Sequence, residues 1–432
     1  MTLATSTTTP AHSRRARWAA LAAVGLAGVL AVGLLVARDR RRVESLAESA
    51  RQAVLVRDWK AAEGRIDAWI AARPQSGEAH FLLGRVLLAT DRPREALVAL
   101  ERSLERGYPR RGPVSLRAAM QAHAGEVAEA EPVLVRSLAE ADEPQPEVAE
   151  ALAKVYLGTF RLREARAVID RWMRDDPTSA KAYVARNEVD QRSDAPAATL
   201  VRNDREALRR DPGLDKSRLT LAEHLRAAHR ADEAAEAFDA YIARKPEDPA
   251  GLVGAGQNAM ERGRLAEAVK YFDAALAVDP RDPPALKERA NIDFRAGRFE
   301  RARDRFAAVV ALDPYDPDVR YSFGQTLKAL KLPELAKAQE EAFQRLKAEH
   351  ARMAQVRSAL VRDPKDPALR LEAARWLIAH GHDEGVDWAQ QLLADRPADV
   401  EALSVLAEYY ERKQEFGKAN YYRLALSGLS VK

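Results

Sequence analysis

PAGLVGAGQNAMERGRLAEAVKYFDAALAVDPRD, residues 249–282, runs directly into PPALKERANIDFRAGRFERARDRFAAVVALDPYD, residues 283–316. Both stretches are 34 residues long and follow one plan. A first segment with helical apolar spacing ends at a glycine, Gly263 or Gly297, and a second helical segment follows. The second segment carries a small residue, Ala268 or Ala302, and a phenylalanine four positions on, Phe272 or Phe306. Alanine suits a place where two helices approach closely, and the phenylalanine fills the core beside it. Such self-similarity at a fixed period is the mark of a stacked repeat.

Asp-Pro pairs punctuate the period. Pro280 lacks an amide hydrogen and disfavours helix at the residue before it, so it stops the second helix. Asp282 then caps the next helix, and Pro283 occupies its first turn. Asp248-Pro249, Asp316-Pro317 and Asp366-Pro367 repeat the start signal.

These residues resemble the tetratricopeptide repeat family. The resemblance implies an all-α, right-handed superhelical solenoid of helix–turn–helix units. The small alanine returns as Ala62, Ala96, Ala130, Ala165, Ala234, Ala268, Ala302, Ala336 and Ala419. The family's first-helix glycine stands at Gly84, Gly256 and Gly324, with Ala153 and Ala222 in its place elsewhere; its terminal proline recurs from Pro74 to Pro397. About eleven units follow: 43–76, 77–110, 111–145, 146–179, 180–214, 215–248, 249–282, 283–316, 317–350, 366–399 and 400–432. The fifth and tenth are degenerate, and Gly385 stands where the tenth should carry alanine. Residues 43–350 thus hold repeats 1–9, residues 351–365 are an extension, and residues 366–432 hold repeats 10–11 and the C-terminal end.

The extension has no breaker before Pro364, so EAFQRLKAEHARMAQVRSALVRD, residues 341–363, reads as one long helix. Leu346, Met353 and Leu360 fall seven apart, the spacing of a coiled-coil seam. Two readings follow. The stripe packs on the next helix pair, or it is a self-association contact with a partner or a second copy, giving a homo-oligomer.

Ahead of the repeats, residues 1–17 read as a disordered basic tail, residues 18–37 as a transmembrane helix and residues 38–42 as a basic flank. The twenty uncharged residues from Trp18 to Ala37 make about 30 Å of helix, the thickness of a bilayer's hydrocarbon core. Leu35-Val36-Ala37-Arg38 is a poor cleavage site, which favours a permanent single-pass anchor over a removed signal. Ala19, Ala23, Ala27 and Ala31 recur every fourth position, a spacing that suits helix dimers and also arises by accident in an alanine-rich span. Arg14, Arg15 and Arg17 precede the span, and Arg38, Arg40, Arg41 and Arg42 follow it. That count leans slightly toward repeats on the cytoplasmic side of a cell membrane, with the periplasmic side left open.

Of 69 basic and 65 acidic residues, residues 1–42 hold seven arginines and one acid, leaving 62 and 64 in the remainder. The repeats are therefore electrically balanced, which speaks against a nucleic-acid partner. With no cysteine, disulfides, thiolate metal sites and cysteine nucleophiles are excluded. The alanine- and arginine-rich composition fits a bacterial envelope protein.

No phosphate loop, dinucleotide fingerprint or nucleophile elbow occurs, so neither an enzyme nor a cofactor is expected. His224 and His229 are five apart and diverge on a helix, and His380-Gly381-His382-Asp383 reads as a solvated turn rather than a metal site. What remains is surface. Lys287 and Asn291 resemble the first two residues of the family's clamp on a peptide carboxylate. Ser322, Pro367 and Leu371 stand where the other clamp residues belong, which argues against that mode. A more open candidate is a peptide-binding groove lined by Gln257, Lys287, Asn291, Phe294, Tyr321, Gln325 and Lys328. The expected function is a membrane-anchored, non-catalytic scaffold for protein–protein interaction. The alternatives are an accessory subunit of a membrane enzyme or of a secretion or envelope-biogenesis complex, and a structural self-assembler.

Overall fold

Ala, Leu, Arg and Glu are strong helix formers, and prolines and glycines fall at unit boundaries and mid-unit turns often enough to cut the chain into short helices, although Pro132 lies within a helix. The computed structural model describes residues 35–429 apart from 91, 125, 142 and 143, with the side chain of residue 128 also left aside. The described residues form 22 helices and no strand. The expected tail lies outside the described residues, as does the expected span save for residues 35–37. Among the described residues no helix is long and apolar enough to cross a membrane.

The chain divides after Met120 into two compact units. The first contains α1 (35–55), α2 (Trp59–Ala72), α3 (Gly77–Ala89), α4 (Pro93–Glu105) and most of α5 (Arg111–His123). The second begins with α6 (Val127–Ala139), α7 (Pro146–Gly158), α8 (Leu162–Asp175), α9 (Ala180–Arg192) and α10 (Ala197–Arg210). It continues through α11 (Asp215–Ala227), α12 (Ala231–Ile242), α13 (Pro249–Glu261), α14 (Leu265–Val278), α15 (Pro283–Arg295) and α16 (Phe299–Leu312). It ends with α17 (Pro317–Ala329), α18 (Pro333–Arg362), α19 (Pro367–Ala379), α20 (Glu384–Asp395), α21 (Val400–Arg412) and α22 (Phe416–Leu429).

From α7 onward each odd-numbered helix packs on the even-numbered helix after it. The first helices also touch one another, in the row α11, α13, α15 and α17. Asp248, Asp282, Asp316 and Asp366 each accept a backbone N–H at the start of α13, α15, α17 and α19, at 2.8 to 3.1 Å. The Asp-Pro pairs thus act as N-caps with proline in the first turn. The turn after the first helix uses a left-handed residue, glycine at Gly263, Gly297 and Gly381. Phe160, His229 and Lys331 take that conformation elsewhere, at about 1–2 kcal/mol for a residue with a Cβ.

In the core Ala234, Ala268 and Ala302 are fully buried, as are Phe238, Phe272 and Phe306. The paired first helix comes so close that a Cβ on Gly256 would sit 2.5 Å from the Phe272 ring. The next unit's first helix packs as closely on its predecessor, where a Cβ on Gly254 would sit 2.3 Å from the Phe238 ring.

The 30-residue α18, about 45 Å long, carries its first half against α17 and its second half against α19. Leu346, Met353 and Leu360 are 3%, 5% and 1% exposed. Met353 and Leu360 belong to the core shared with Ala373, Ile378, Trp388 and Leu406 of the same chain. Within this chain the stripe is therefore covered, with Met353 and Leu360 packed on the following helix pair.

Gly256→Ala is expected to destabilise the chain by about 1–2 kcal/mol, because overpacking against a fixed Phe272 outweighs the gain in helix propensity. Gly64→Ala, with no atom within 4 Å of the new Cβ, is expected to stabilise by about 0.5–1 kcal/mol. Urea unfolding of the two variants reads both signs.

Candidate interaction surface

Three neighbouring first helices, α13, α15 and α17, carry the residues of the expected groove. Several are already engaged within the chain. Lys287 Nζ donates to Asp316 Oδ2 at 2.7 Å, and that same aspartate caps α17. Gln257 donates to Glu288 at 3.0 Å, Lys328 lies 3.6 Å from Glu340, and Phe294 packs edge-on to Phe299 with ring centres 5.6 Å apart. The clamp-like role of Lys287 thus competes with a bond that ties α15 to α17. Tyr321 remains 48% exposed, supported from behind by Phe343 of α18 at 5.4 Å. Among the described residues the half-buried amides of Asn291 and Gln325 make no side-chain hydrogen bond. Tyr321 and Gln325 sit one turn apart on α17, and Asn291 on the adjoining α15. An aromatic anchor and two unengaged amides on one row of helices can hold an extended peptide by apolar contact and by hydrogen bonds to its backbone.

A second opening, of about 940 Å³, lies on α19 between Glu349 in the middle of α18 and the start of α21. Leu371, Ala368 and Trp376 supply its apolar wall. Its charges are mostly paired: Arg352 donates twice to Glu372, at 2.7 Å each, and Arg375 donates to Glu401 at 2.7 Å. Those bonds from Arg352 hold the Glu372 carboxyl below the usual carboxylate range. With its ions neutralised in pairs, the opening suits an apolar side chain rather than a charged one.

His380 departs from the solvated turn expected of it. Its side chain is buried, stacked on Trp376 at 4.1 Å and against Tyr315 at 4.4 Å, with Nε2 3.4 Å from Glu349. Gly381 does form the turn, at φ +81°. His224 lies in α11, whereas His229 lies in the turn beyond its end rather than on the same helix. Among the described residues no group of three or more His, Asp or Glu is placed to hold a metal ion.

A buried polar network in α9–α11 escaped the sequence reading. Asp190 accepts from Arg166 at 2.7 Å, from Asn203 at 2.8 Å and from Arg186 at 3.3 Å. Asp204 accepts from Asn187 at 2.7 Å and Thr220 at 3.1 Å, and its other oxygen lies 2.6 Å from His224 Nδ1. The signal was present: α9, AKAYVARNEVDQR, places Asn187 and Asp190 where apolar residues belong, and this is what makes the fifth unit look degenerate. Its core is held by charge-assisted bonds instead.

The fold is a stack of paired helices that presents first-helix surface, the plan of a helical-repeat protein. Residues 48–111, 219–285 and 259–329 match descriptions of the tetratricopeptide repeat, so the chain carries such repeats over those stretches. No curated protein matches the sequence. Among solved structures it is similar to PilW, a widely conserved type IV pilus biogenesis factor, at 24% identity over 46% of this chain and 92% of that one, TM-score 0.41. It is also similar to Pseudomonas aeruginosa pilF, at 18% over 47% and 97%, TM-score 0.41, and to yeast Tom70, at 12% over 90% and 92%, TM-score 0.36.

Asp190→Ala removes the acceptor of three donors, buried Asn203 and two part-buried arginines. We expect a loss of about 3 kcal/mol, read as a lower urea midpoint, with hydrogen exchange rising first in α9 and α10.

Proposed function

We propose that this chain is a non-catalytic scaffold that binds extended peptide segments of other proteins along its first helices and is held at a membrane by residues 18–37. The observation that carries the binding role is the row α13, α15 and α17, where exposed Tyr321 stands with the unengaged amides of Asn291 and Gln325. The apolar opening on α19 offers a second contact, so one partner can be held at two points. Two weak contacts on one chain multiply in avidity when a linker spans them. The tether rests on the twenty uncharged residues between arginine clusters, and it raises the local concentration of anything the repeats hold. The arginine count favours repeats on the cytoplasmic side of a bacterial cell membrane.

Crosslinking in intact cells, followed by purification from the membrane fraction, tests this reading. The double variant Tyr321→Ala/Gln325→Ala is expected to lose at least one crosslinked protein that the parent retains, while staying in the membrane fraction. Deleting residues 1–37 is expected to release the chain from membranes. An unchanged set of crosslinked proteins overturns the groove, and a full-length chain that washes off membranes in carbonate overturns the tether.

A further inference from the structure

Helix α20 touches two helices that precede it by more than two hundred residues, α6 and α7. Its Trp388, 1% exposed, meets the ring of Phe160 with centres 5.4 Å apart. Phe160 occupies the turn between α7 and α8 in a left-handed conformation, φ +53°, at the place where other units carry glycine. The backbone there would be better served by glycine, so the ring is what the position gains. That ring packs into the core of α18–α22 although it belongs to the fourth unit.

Charge follows the same path. The Arg192 guanidinium lies over Phe160 at 5.1 Å, donates to Leu157 O at 2.5 Å and sits 3.9 Å from Glu384 at the start of α20. Lys154 of α7 attracts Asp387, one turn further along α20. The protein around Asp387 pushes its carboxyl up, with Glu384 adding to the rise and Lys154 opposing it. Acids on α20 thus face bases on α7 and α9, around an aromatic pair.

We propose that α20 is an internal ligand: it docks in cis on the face made by α6, α7, Phe160 and Arg192, and so forms a reversible latch across residues 121–429. Reversibility follows from how incompletely the docked helix is satisfied. Glu384 Oε1, Trp388 Nε1 and Gln391 Oε1 are all buried without a hydrogen-bond partner. Glu384 is an ion pair with Arg192 at a distance beyond a hydrogen bond. Its contacts with α6 and α7 are also sparser than those between consecutive helices, so the latch is weaker than their stacking and opens without unfolding them. Its occupant is an acidic helix whose aromatic residue directly follows an acid, Asp387-Trp388, with Glu384 one turn before.

Phe160→Gly separates the latch from the fold, because glycine is favoured at that φ while the ring is lost. In the full chain, purified in detergent, the parent and the variant are compared by hydrogen exchange and by distances between paired spin labels. The labels go on exposed Arg163 and exposed Lys413, each replaced by cysteine in this cysteine-free sequence. The variant is expected to show faster exchange in α20 and in α6–α7, a longer and broader label distance, and an unchanged or higher thermal midpoint. Glu384→Arg, which sets two cations face to face, is expected to lengthen the same distance. Unchanged exchange and distance in both variants overturn the latch. A fall in the thermal midpoint of Phe160→Gly, with exchange rising throughout residues 121–429, also overturns it by making the contact part of the fold itself.

Discussion

A small residue on one helix facing a large aromatic ring on the other sets the distance at which the helices of this chain pair. Gly256 of α13 and Phe272 of α14 show the arrangement most plainly, with Ala268, one turn before Phe272 on the same helix, letting the first helix in. The closeness then dictates the first helix, which must present Gly256 to the ring. Because the same pairing returns at Ala234 with Phe238 and at Ala302 with Phe306, each pair buries its own core and presses its outer side on the next. First helices are brought side by side, and their outward positions become a surface. Everything said of Tyr321, Asn291 and Gln325 depends on that row.

Where the pairing is absent, something else takes its place. In α9 and α10 two buried aspartates gather arginines, asparagines and a histidine, exchanging apolar packing for bonds that fix geometry more strictly. After α17 the long α18 carries the chain past the next unit, and Met353 and Leu360 do for α19 and α20 what alanine and phenylalanine do elsewhere. In the unit beyond it, α20 lies against α6 and α7.

The paired helices were legible in the sequence because their causes are local. The caps at Asp248, Asp282, Asp316 and Asp366 act within three residues, and the Ala–Phe spacing lies within one helix. The groove was legible only as a set of helix positions. That Lys287 is bound to Asp316 is a contact between successive units, which residue type alone does not disclose. Leu346, Met353 and Leu360 gave a true apolar stripe, but spacing states that a stripe is covered and not by what. His380 was missed because a turn position looks solvated until Trp376 and Tyr315 are placed on it. Phe160 carried a faint signal, a large ring where a turn calls for glycine, while its partner Trp388 lies 228 positions away. The membrane span rests on sequence alone, since all but its last three residues lie outside the described residues.

If the ring in each second helix is what holds a unit together, its loss must be felt locally. Phe306→Ala removes a fully buried ring worth about 3–5 kcal/mol to its own pair and to the pairs stacked on it. Hydrogen exchange followed by mass spectrometry along the full chain resolves where that loss falls. The account predicts faster exchange confined to α13–α18, with α7–α10 and α21–α22 exchanging as in the parent. A uniform rise across residues 121–429 would contradict it, showing that the chain melts as one body rather than as units joined by nearest-neighbour contact.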